Sequence, residues 1–168
     1  MTGAMVHWGA QMDKNVQKVM FSSKTGNWAT PQDFFNKLDW RFGPFDLDPC
    51  ASPYNTKCEN FFTEAENGLE KDWEGFTCFV NPPYGRGIDK WIQKAYNEAM
   101  KPNTKVVMLI PARTDTKYWH NYVMKASEIH FVKGRLKFGD SNNSAPFPSA
   151  VVVFDGGGEL WRVEGINR

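Results

Sequence analysis

The sequence predicts an α/β fold of three layers, with a mostly parallel sheet between helices and an antiparallel hairpin at its C-terminal end. Segments of helical periodicity alternate with apolar runs of strand length along most of the chain. The run 105–110 is almost continuously apolar, which is typical of a strand buried on both faces of a sheet. Two apolar runs, 150–154 and 160–163, flank Asp155-Gly156-Gly157-Gly158-Glu159 and predict the hairpin.

Size and composition bound the class of protein. The chain has 168 residues, of which 41% are hydrophobic and 15% aromatic, so it can bury a core and is not disordered in bulk. We expect one domain over residues 1–168, with the polar, weakly patterned residues 1–27 as an N-terminal arm. No apolar run has membrane-spanning length and the N-terminus lacks a signal-peptide pattern, which favours the cytoplasm and argues against a membrane partner. The oligomeric state is left open.

Cysteine and histidine usage predicts a reduced protein without a bound metal. The three cysteines include no C-x-x-C pair, so they indicate neither a disulfide framework nor a zinc site. The three histidines are scattered and form no ligand pair at helical spacing.

The net charge of +1 conceals an uneven distribution. Residues 31–100 carry 7 basic and 12 acidic side chains, whereas residues 101–154 carry 8 basic and 3 acidic ones. Such a division is expected if one face meets a polyanion and another holds a cationic ligand. Ordinary charge scatter explains it equally well.

The first third of the chain predicts one helix and two strands. Thr30-Pro31-Gln32-Asp33 indicates a helix start, because threonine can cap a helix and proline suits its first position. Strands are predicted over 42–48, which ends at Asp48-Pro49, and over 60–63.

Later elements alternate more clearly. A strand over 77–80 stops at Asn81-Pro82-Pro83, and the helix over 86–100 has a continuous apolar face. The strand over 105–110 is followed by a helix from Asp115 or Thr116 to Ala126, a strand over 128–132 and a further short strand over 135–138. Ligands of open α/β sheets bind beyond the carboxyl ends of the strands, so Asp48-Pro49 and Asn81-Pro82 are expected on one rim.

Asn81-Pro82-Pro83-Tyr84 carries the clearest chemistry. Two prolines fix the backbone and remove two N–H donors. The side-chain oxygen of Asn81 and the main-chain oxygen of Pro82 could then accept both hydrogens of an exocyclic amine, leaving electron density on its nitrogen. Tyr84 offers a flat face on which a base can stack. The alternative is a rigid turn after a strand.

This tetrapeptide resembles the catalytic signature of amino-methyltransferases that use S-adenosylmethionine. Around it, several motifs resemble, in order, those of the phage-type DNA adenine-N6 methyltransferase (Dam) family. They are Phe21-Ser22-Ser23-Lys24, Trp28-Ala29-Thr30-Pro31-Gln32-Asp33-Phe34-Phe35, Phe45-Asp46-Leu47-Asp48-Pro49-Cys50-Ala51, Asn67-Gly68-Leu69 with Trp73, and Lys133-Gly134-Arg135-Leu136-Lys137-Phe138. The resemblance covers roughly residues 21–154. It implies a Rossmann-like methyltransferase fold, S-adenosylmethionine as cofactor, double-stranded DNA as partner and, for a phage-encoded chain, the host cytoplasm.

The resemblance also implies that Thr30-Pro31 and Asp48-Pro49-Cys50-Ala51 bind the cofactor. A hydroxyl at a helix N-terminus, as at Thr30, suits the cofactor's carboxylate, and an acid at a strand end, as at Asp48, suits its ammonium group. An acid after the second strand usually binds ribose hydroxyls, which makes Glu64 the first candidate and Glu66 the second. A solvated acidic loop is the alternative interpretation of both.

Basic side chains near the predicted rim are candidates for contacts with DNA phosphates. A solvated strand face explains any single one of them as well, and the polar loop 140–148 is either a further DNA contact or an ordinary surface loop. The candidates are Arg86, Arg113, Lys133, Arg135 and Lys137.

Two other functions stay open. The first is the same chemistry on another amine: cytosine N4, RNA adenine or a glutamine side chain. The second is a DNA-binding protein that has lost catalysis, which is favoured by two departures from the pattern. Cys50-Ala51-Ser52-Pro53 lacks the glycines of the broader cofactor motif, and Asn67 stands where an aspartate is expected.

Overall fold

The computed structural model describes residues 28–139, 143–156 and 162–168. The predicted N-terminal arm, the first three residues of the polar loop 140–148 and the glycine-rich turn around 157–161 lie outside the described residues. Within them, one seven-stranded sheet has the order β2-β1-β3-β4-β6-β5-β7. The strands are β1 (Leu47–Asp48), β2 (Asn60–Phe61), β3 (Thr77–Val80), β4 (Lys105–Pro111), β5 (Glu128–Lys133), β6 (Ser149–Asp155) and β7 (Arg162–Asn167).

The sheet is mostly parallel, which confirms the predicted fold class. β6 runs antiparallel to its neighbours β4 and β5, and every other pairing is parallel. Helices α1 (Gln32–Phe42), α2 (Ile88–Ala99) and α3 (Lys117–Asn121) cover it, with short 3₁₀ turns at Gly68–Glu70 and Val123–Lys125. No helix in the described part of the chain combines the length and the apolar character needed to cross a bilayer.

The two faces of β4 explain the three layers. Val107 and Leu109 pack with α1, whereas Val106, Met108 and Ile110 pack with α2 and α3. Alternation along a strand sends successive side chains to opposite faces, so a strand covered on both sides is apolar throughout. Burying each such side chain contributes about 1.5–3 kcal/mol of hydrophobic free energy.

The predicted C-terminal hairpin is wrong. β7 does not pair with β6; it pairs in parallel with β5, from Glu128 opposite Arg162 to Lys133 opposite Asn167. The side chains of β6 are buried as far as Phe154, and this strand takes an interior place with partners on both edges. The side chains of β7 are largely exposed, as suits the edge of a sheet.

Three other predicted elements differ. Phe42 ends α1, and only Leu47–Asp48 of the strand predicted over 42–48 forms, because Gly43-Pro44 interrupts it. Residues 135–138 form no strand; Leu136 accepts a single main-chain bond from Ala145. The helix predicted to reach residue 126 ends at Asn121 and continues as a 3₁₀ turn.

The expected rim is present. β1, β3 and β4 are parallel neighbours, so their carboxyl ends lie at the same end of the sheet. Asp48 ends β1, Asn81 follows β3 and Arg113 follows β4. β5 is antiparallel to β6 and therefore parallel to β4, which brings Lys133 to this end as well.

Candidate active site

A cavity of about 940 Å³ lies at this rim. Its volume is in the range of sites for cofactor-sized molecules. Most residues that the sequence assigned to a cofactor line it, and Pro31 does not; Pro31 instead accepts the first main-chain bond of α1, from Phe35 at 2.9 Å. The predicted residues in the wall are Thr30, Asp48, Pro49, Cys50, Ala51 and Glu64.

Asp48 places a buried carboxyl group in the cavity wall. Its oxygens accept hydrogen bonds from the main-chain nitrogens of Cys50, at 3.3 Å, and Lys57, at 3.2 Å. Burial raises the pKa of Asp48 to about 6, although these two bonds and the charge of Lys57 act in the opposite direction. No ion pair with Asp48 is present among the described residues, and an ammonium group in the cavity would supply the positive partner of the ionised acid.

The structure separates the two acidic candidates that follow β2. Glu64 is exposed and lines the cavity. The Glu66 carboxylate instead accepts bonds from the main-chain nitrogen and the hydroxyl of Thr63, both at 2.8 Å, and these bonds lower its pKa. Glu66 thus stabilises its own turn, as the Thr-x-x-Glu spacing indicates.

Asn67 and Gly68 form a tight part of the same wall. Asn67 lines the cavity with a φ of 53°, in the left-handed region. A Cβ atom on Gly68 would lie 1.9 Å from the main-chain oxygen of Pro49, so only glycine fits there. This contact brings the segment after β2 against the segment after β1.

An aromatic part of the wall was missed by sequence reasoning. Trp91 was predicted on the buried face of its helix, and it does stack with Trp73, with ring centres 6.3 Å apart and planes at 23°. Trp91 also borders the cavity, as does Phe62. No local pattern distinguishes a core tryptophan from one at a cavity edge, because the difference depends on which distant segments pack beside it.

Asn81 is held by a segment that precedes it by about fifty residues. Its Nδ2 donates to the main-chain oxygen of Trp28 and, at 2.9 Å, to the hydroxyl oxygen of Thr30. The carbonyl oxygen of Trp28 can only accept a hydrogen bond, so the NH₂ end of the Asn81 amide faces it. Asn81 Oδ1 is buried and has no hydrogen-bond partner among the described residues. An unsatisfied buried acceptor is rare and indicates a ligand donor.

Tyr84 lies in an aromatic cluster with Trp28, Phe138 and Phe147. Its ring centre is 6.3 Å from that of Trp28, with planes at 26°, and 5.3 Å from that of Phe147, in an edge-to-face contact. Burial raises the pKa of the Tyr84 phenol, which stays neutral. Next to the cluster, Pro82 is buried and Pro83 lines the cavity.

Phe138 and Phe147 come from the segment between β5 and β6. A bond from the main-chain nitrogen of Gly139 to the oxygen of Ala29, 2.8 Å long, joins this segment to the Trp28 region. Phe138 was identified from the sequence only as part of a family motif, and no role was predicted for Phe147. Phe138 and Phe147 lie beside Tyr84 because strands from distant parts of the chain pair in the sheet.

The five basic candidates are all exposed. Arg86 and Arg113 follow the carboxyl ends of β3 and β4, and Lys133 ends β5, so these three lie at the same end of the sheet as the cavity, although none of them lines it. Arg135 and Lys137 follow Lys133 in the irregular segment that leads to Phe138. The guanidinium of Arg168 donates to the main-chain oxygen of Arg135 at 3.1 Å, so a further basic side chain lies beside this segment.

Comparisons with known proteins identify the family of this chain. A family model described as DNA N-6-adenine-methyltransferase (Dam) matches residues 17–154. A protein named DNA N-6-adenine-methyltransferase from Haemophilus phage HP1 is 34% identical over 135 residues, which are 76% of this chain and 78% of that protein. A protein of the same name from Escherichia phage T1 is 34% identical over 110 residues, which are 65% of this chain and 45% of that longer protein.

Proposed function

Because the chain belongs to the DNA N-6-adenine-methyltransferase (Dam) family and is an adenine-specific DNA methyltransferase, we propose that it transfers the methyl group of S-adenosylmethionine to N6 of adenine in double-stranded DNA. The observation that carries the proposal is Asn81 Oδ1, a buried acceptor that has no partner in the described part of the chain and lies beside a cofactor-sized cavity. An exocyclic amine is the donor that this oxygen lacks.

The residues of the cavity fit the proposed cofactor. Asp48 would bind its ammonium group and Glu64 its ribose hydroxyls, while Trp91 and Phe62 provide apolar surface for its adenine. The hydroxyl of Thr30 and the main chain of residues 49–51 are next to these groups in the wall. When bound, the cofactor supplies an electrophilic methyl group on a sulfonium centre.

Asn81 and Pro82 would orient the amine of the target base. Oδ1 of Asn81 and the main-chain oxygen of Pro82 accept its two hydrogens, so the nitrogen lone pair points toward the methyl group. As the new C–N bond forms, the C–S bond breaks, and the proton of the methylated amine leaves to solvent afterwards. No general base is required before attack, and correct positioning accounts for most of the acceleration.

The target base reaches Asn81 only after leaving the duplex stack. Tyr84 would provide the surface against which it stacks, and the rings of Trp28 and Phe147 would have to move, because both contact the Tyr84 ring in the described conformation. Contacts to the DNA phosphates would come from the exposed side chains of Arg86, Arg113, Lys133, Arg135 and Lys137.

The test is transfer of a labelled methyl group. Purified protein is incubated with labelled S-adenosylmethionine and, in parallel, with double-stranded DNA, single-stranded DNA, RNA and a protein mixture. We expect label in double-stranded DNA, recovered as N6-methyladenine after digestion to nucleosides. Recovery as N4-methylcytosine, or label only in RNA or protein, would contradict the proposal. Calorimetry with the cofactor alone adds to this test, because no detectable binding would favour a relative that binds DNA without catalysis.

A further inference from the structure

Thr30 has a role that its position at a helix start does not explain. α1 begins after Pro31 without a side-chain cap, so the Thr30 hydroxyl does not serve the helix. The side chain is nevertheless buried, with 5% of the residue exposed. Its oxygen accepts a hydrogen bond of 2.9 Å from Nδ2 of Asn81.

We propose that Thr30 is a positioning residue, whose hydroxyl holds the Asn81 amide so that Oδ1 faces the target amine. The inference rests on the proposed function, since it assigns Asn81 Oδ1 to that amine. Thr30, which the sequence predicted only as a cofactor ligand, would then contact both the cofactor cavity and the residue that orients the target amine.

The geometry of the amide supports this role. Rotating the Asn81 amide by half a turn would exchange its NH₂ and oxygen ends. The oxygen would then face the carbonyl oxygen of Trp28, which has no hydrogen to donate. Trp28 and Thr30 together accept both hydrogens of Nδ2, and Oδ1 has no partner among the described residues. The Trp28 carbonyl opposes the rotation because it cannot donate. The Thr30 hydroxyl holds Nδ2 as an acceptor, and it also opposes the rotation once its own hydrogen is bonded elsewhere.

Thr30 belongs to the cavity wall as well as to the contact with Asn81. Because Asn81 is the donor in their contact, the hydrogen of the Thr30 hydroxyl stays available, and Thr30 lines the cavity. A carboxylate in the cavity could accept that hydrogen. One hydroxyl would then form hydrogen bonds with the cofactor and with Asn81 at the same time. A bound cofactor would thereby restrict the rotation of the hydroxyl to which Asn81 donates.

The decisive variants are Thr30→Val, which removes the hydroxyl at nearly constant volume, and Thr30→Ser, which retains it. Thr104→Val is the matched control. Thr104 is also buried, and its hydroxyl accepts a bond of 2.9 Å from the main-chain nitrogen of Gly75, at the opposite edge of the sheet from the cavity. If the valine variant does not fold, Thr30→Ala removes the same oxygen.

The first readout needs neither cofactor nor DNA. The side-chain NH₂ resonances of Asn81 in ¹⁵N-labelled protein are identified by their absence in Asn81→Ala. We expect Thr30→Val to shift them and to speed their exchange with water, Thr30→Ser to restore them, and Thr104→Val to leave them in place. Unchanged Asn81 resonances in Thr30→Val would overturn the inference, whether or not the protein methylates DNA.

The second readout is the division between kcat and KM. With saturating cofactor, Thr30→Val should lower kcat about tenfold, as expected for one lost orienting hydrogen bond, and Thr30→Ser should recover most of it. A higher KM for the cofactor with an unchanged kcat would make Thr30 a cofactor ligand only. Absence of DNA methylation by the unsubstituted protein would overturn the proposed function and leave the resonance test of Thr30 valid.

Discussion

The Tyr84 hydroxyl donates a hydrogen bond to the main-chain oxygen of Leu109, 3.1 Å away, and thereby ties the segment after β3 to the neighbouring strand β4. The bond holds the end of the side chain, while the ring lies among Trp28, Phe138 and Phe147. The hydroxyl therefore anchors the side chain, and the ring is the part available to a base.

Two substitutions at Tyr84 should separate these roles. Tyr84→Phe keeps the ring and loses one hydrogen bond, so we expect a loss of about 1 kcal/mol in unfolding free energy and little change in kcat/KM. Tyr84→Ala removes the stacking surface and should lower kcat/KM roughly 10- to 100-fold. Chemical denaturation and steady-state methylation kinetics measure both effects. A loss of activity in Tyr84→Phe as large as that in Tyr84→Ala would assign the catalytic role to the hydroxyl.

Substitutions of Asn81 should affect catalysis and spare the cofactor. Asn81→Ala removes the proposed acceptor of the amine and should lower kcat by at least roughly a hundredfold, while calorimetry finds unchanged cofactor affinity. Near-normal turnover would remove Asn81 from the mechanism. Asn81→Asp is a sharper variant, because a carboxylate oxygen would face the carbonyl oxygen of Trp28. Its activity should rise as the pH falls, since only the protonated acid can donate to that carbonyl.

Cofactor binding should depend on pH through Asp48. Burial raises its pKa from 3.8 to about 6, so the folded protein holds this proton more tightly than the unfolded chain does. The free-energy cost of ionising the buried acid is thus present above pH 6 and disappears as the pH falls toward 4. An ammonium group binds the ionised form, so affinity should fall about tenfold per pH unit below pH 6.

Calorimetry between pH 5 and about 7 checks this dependence, because an α-amino group stays largely charged in that window. The Asp48→Asn variant should bind the cofactor weakly, and its affinity should not change with pH in this range. An equally steep slope in Asp48→Asn would mean that another group titrates, and the assignment of Asp48 to the ammonium would fail.

Glu64 and Glu66 form a matched pair for the ribose site. Glu64→Ala should raise the Kd for the cofactor roughly tenfold or more, the usual effect of losing hydrogen bonds to a charged group. Glu66→Ala should leave Kd unchanged and slightly lower the midpoint of denaturation, because its carboxylate accepts hydrogen bonds from Thr63. The reverse pattern in binding and denaturation experiments would exchange the two assignments.

Local patterns were sufficient for much of the fold. The apolar face of α2 and the continuous run of β4 were predicted nearly to their ends, because burial on one or both faces is visible in the spacing of apolar residues. The prolines after Asp48 and Asn81 marked the strand ends. The Thr63–Glu66 cap was also visible as a Thr-x-x-Glu spacing and was missed.

Other features depended on contacts between distant segments. The glycines of 156–158 indicate a turn in either topology, so the hairpin rule could not show that β5 would lie between β6 and β7. The contact of Trp28 and Phe147 with Tyr84 joins segments far apart along the chain, and no spacing rule relates them.

The sequence by itself determined the chemistry of this protein and the rim on which it occurs. Asn81-Pro82-Pro83-Tyr84 and Asp48-Pro49 specify side chains and strand ends, which are local properties. Only the tertiary structure decided how those groups face one another: which oxygen of the Asn81 region is free, and which of two glutamates borders the cavity. The physical reason is that an amide or carboxylate is oriented by its hydrogen-bond partners, and the partners of Asn81 are about fifty residues away in the chain.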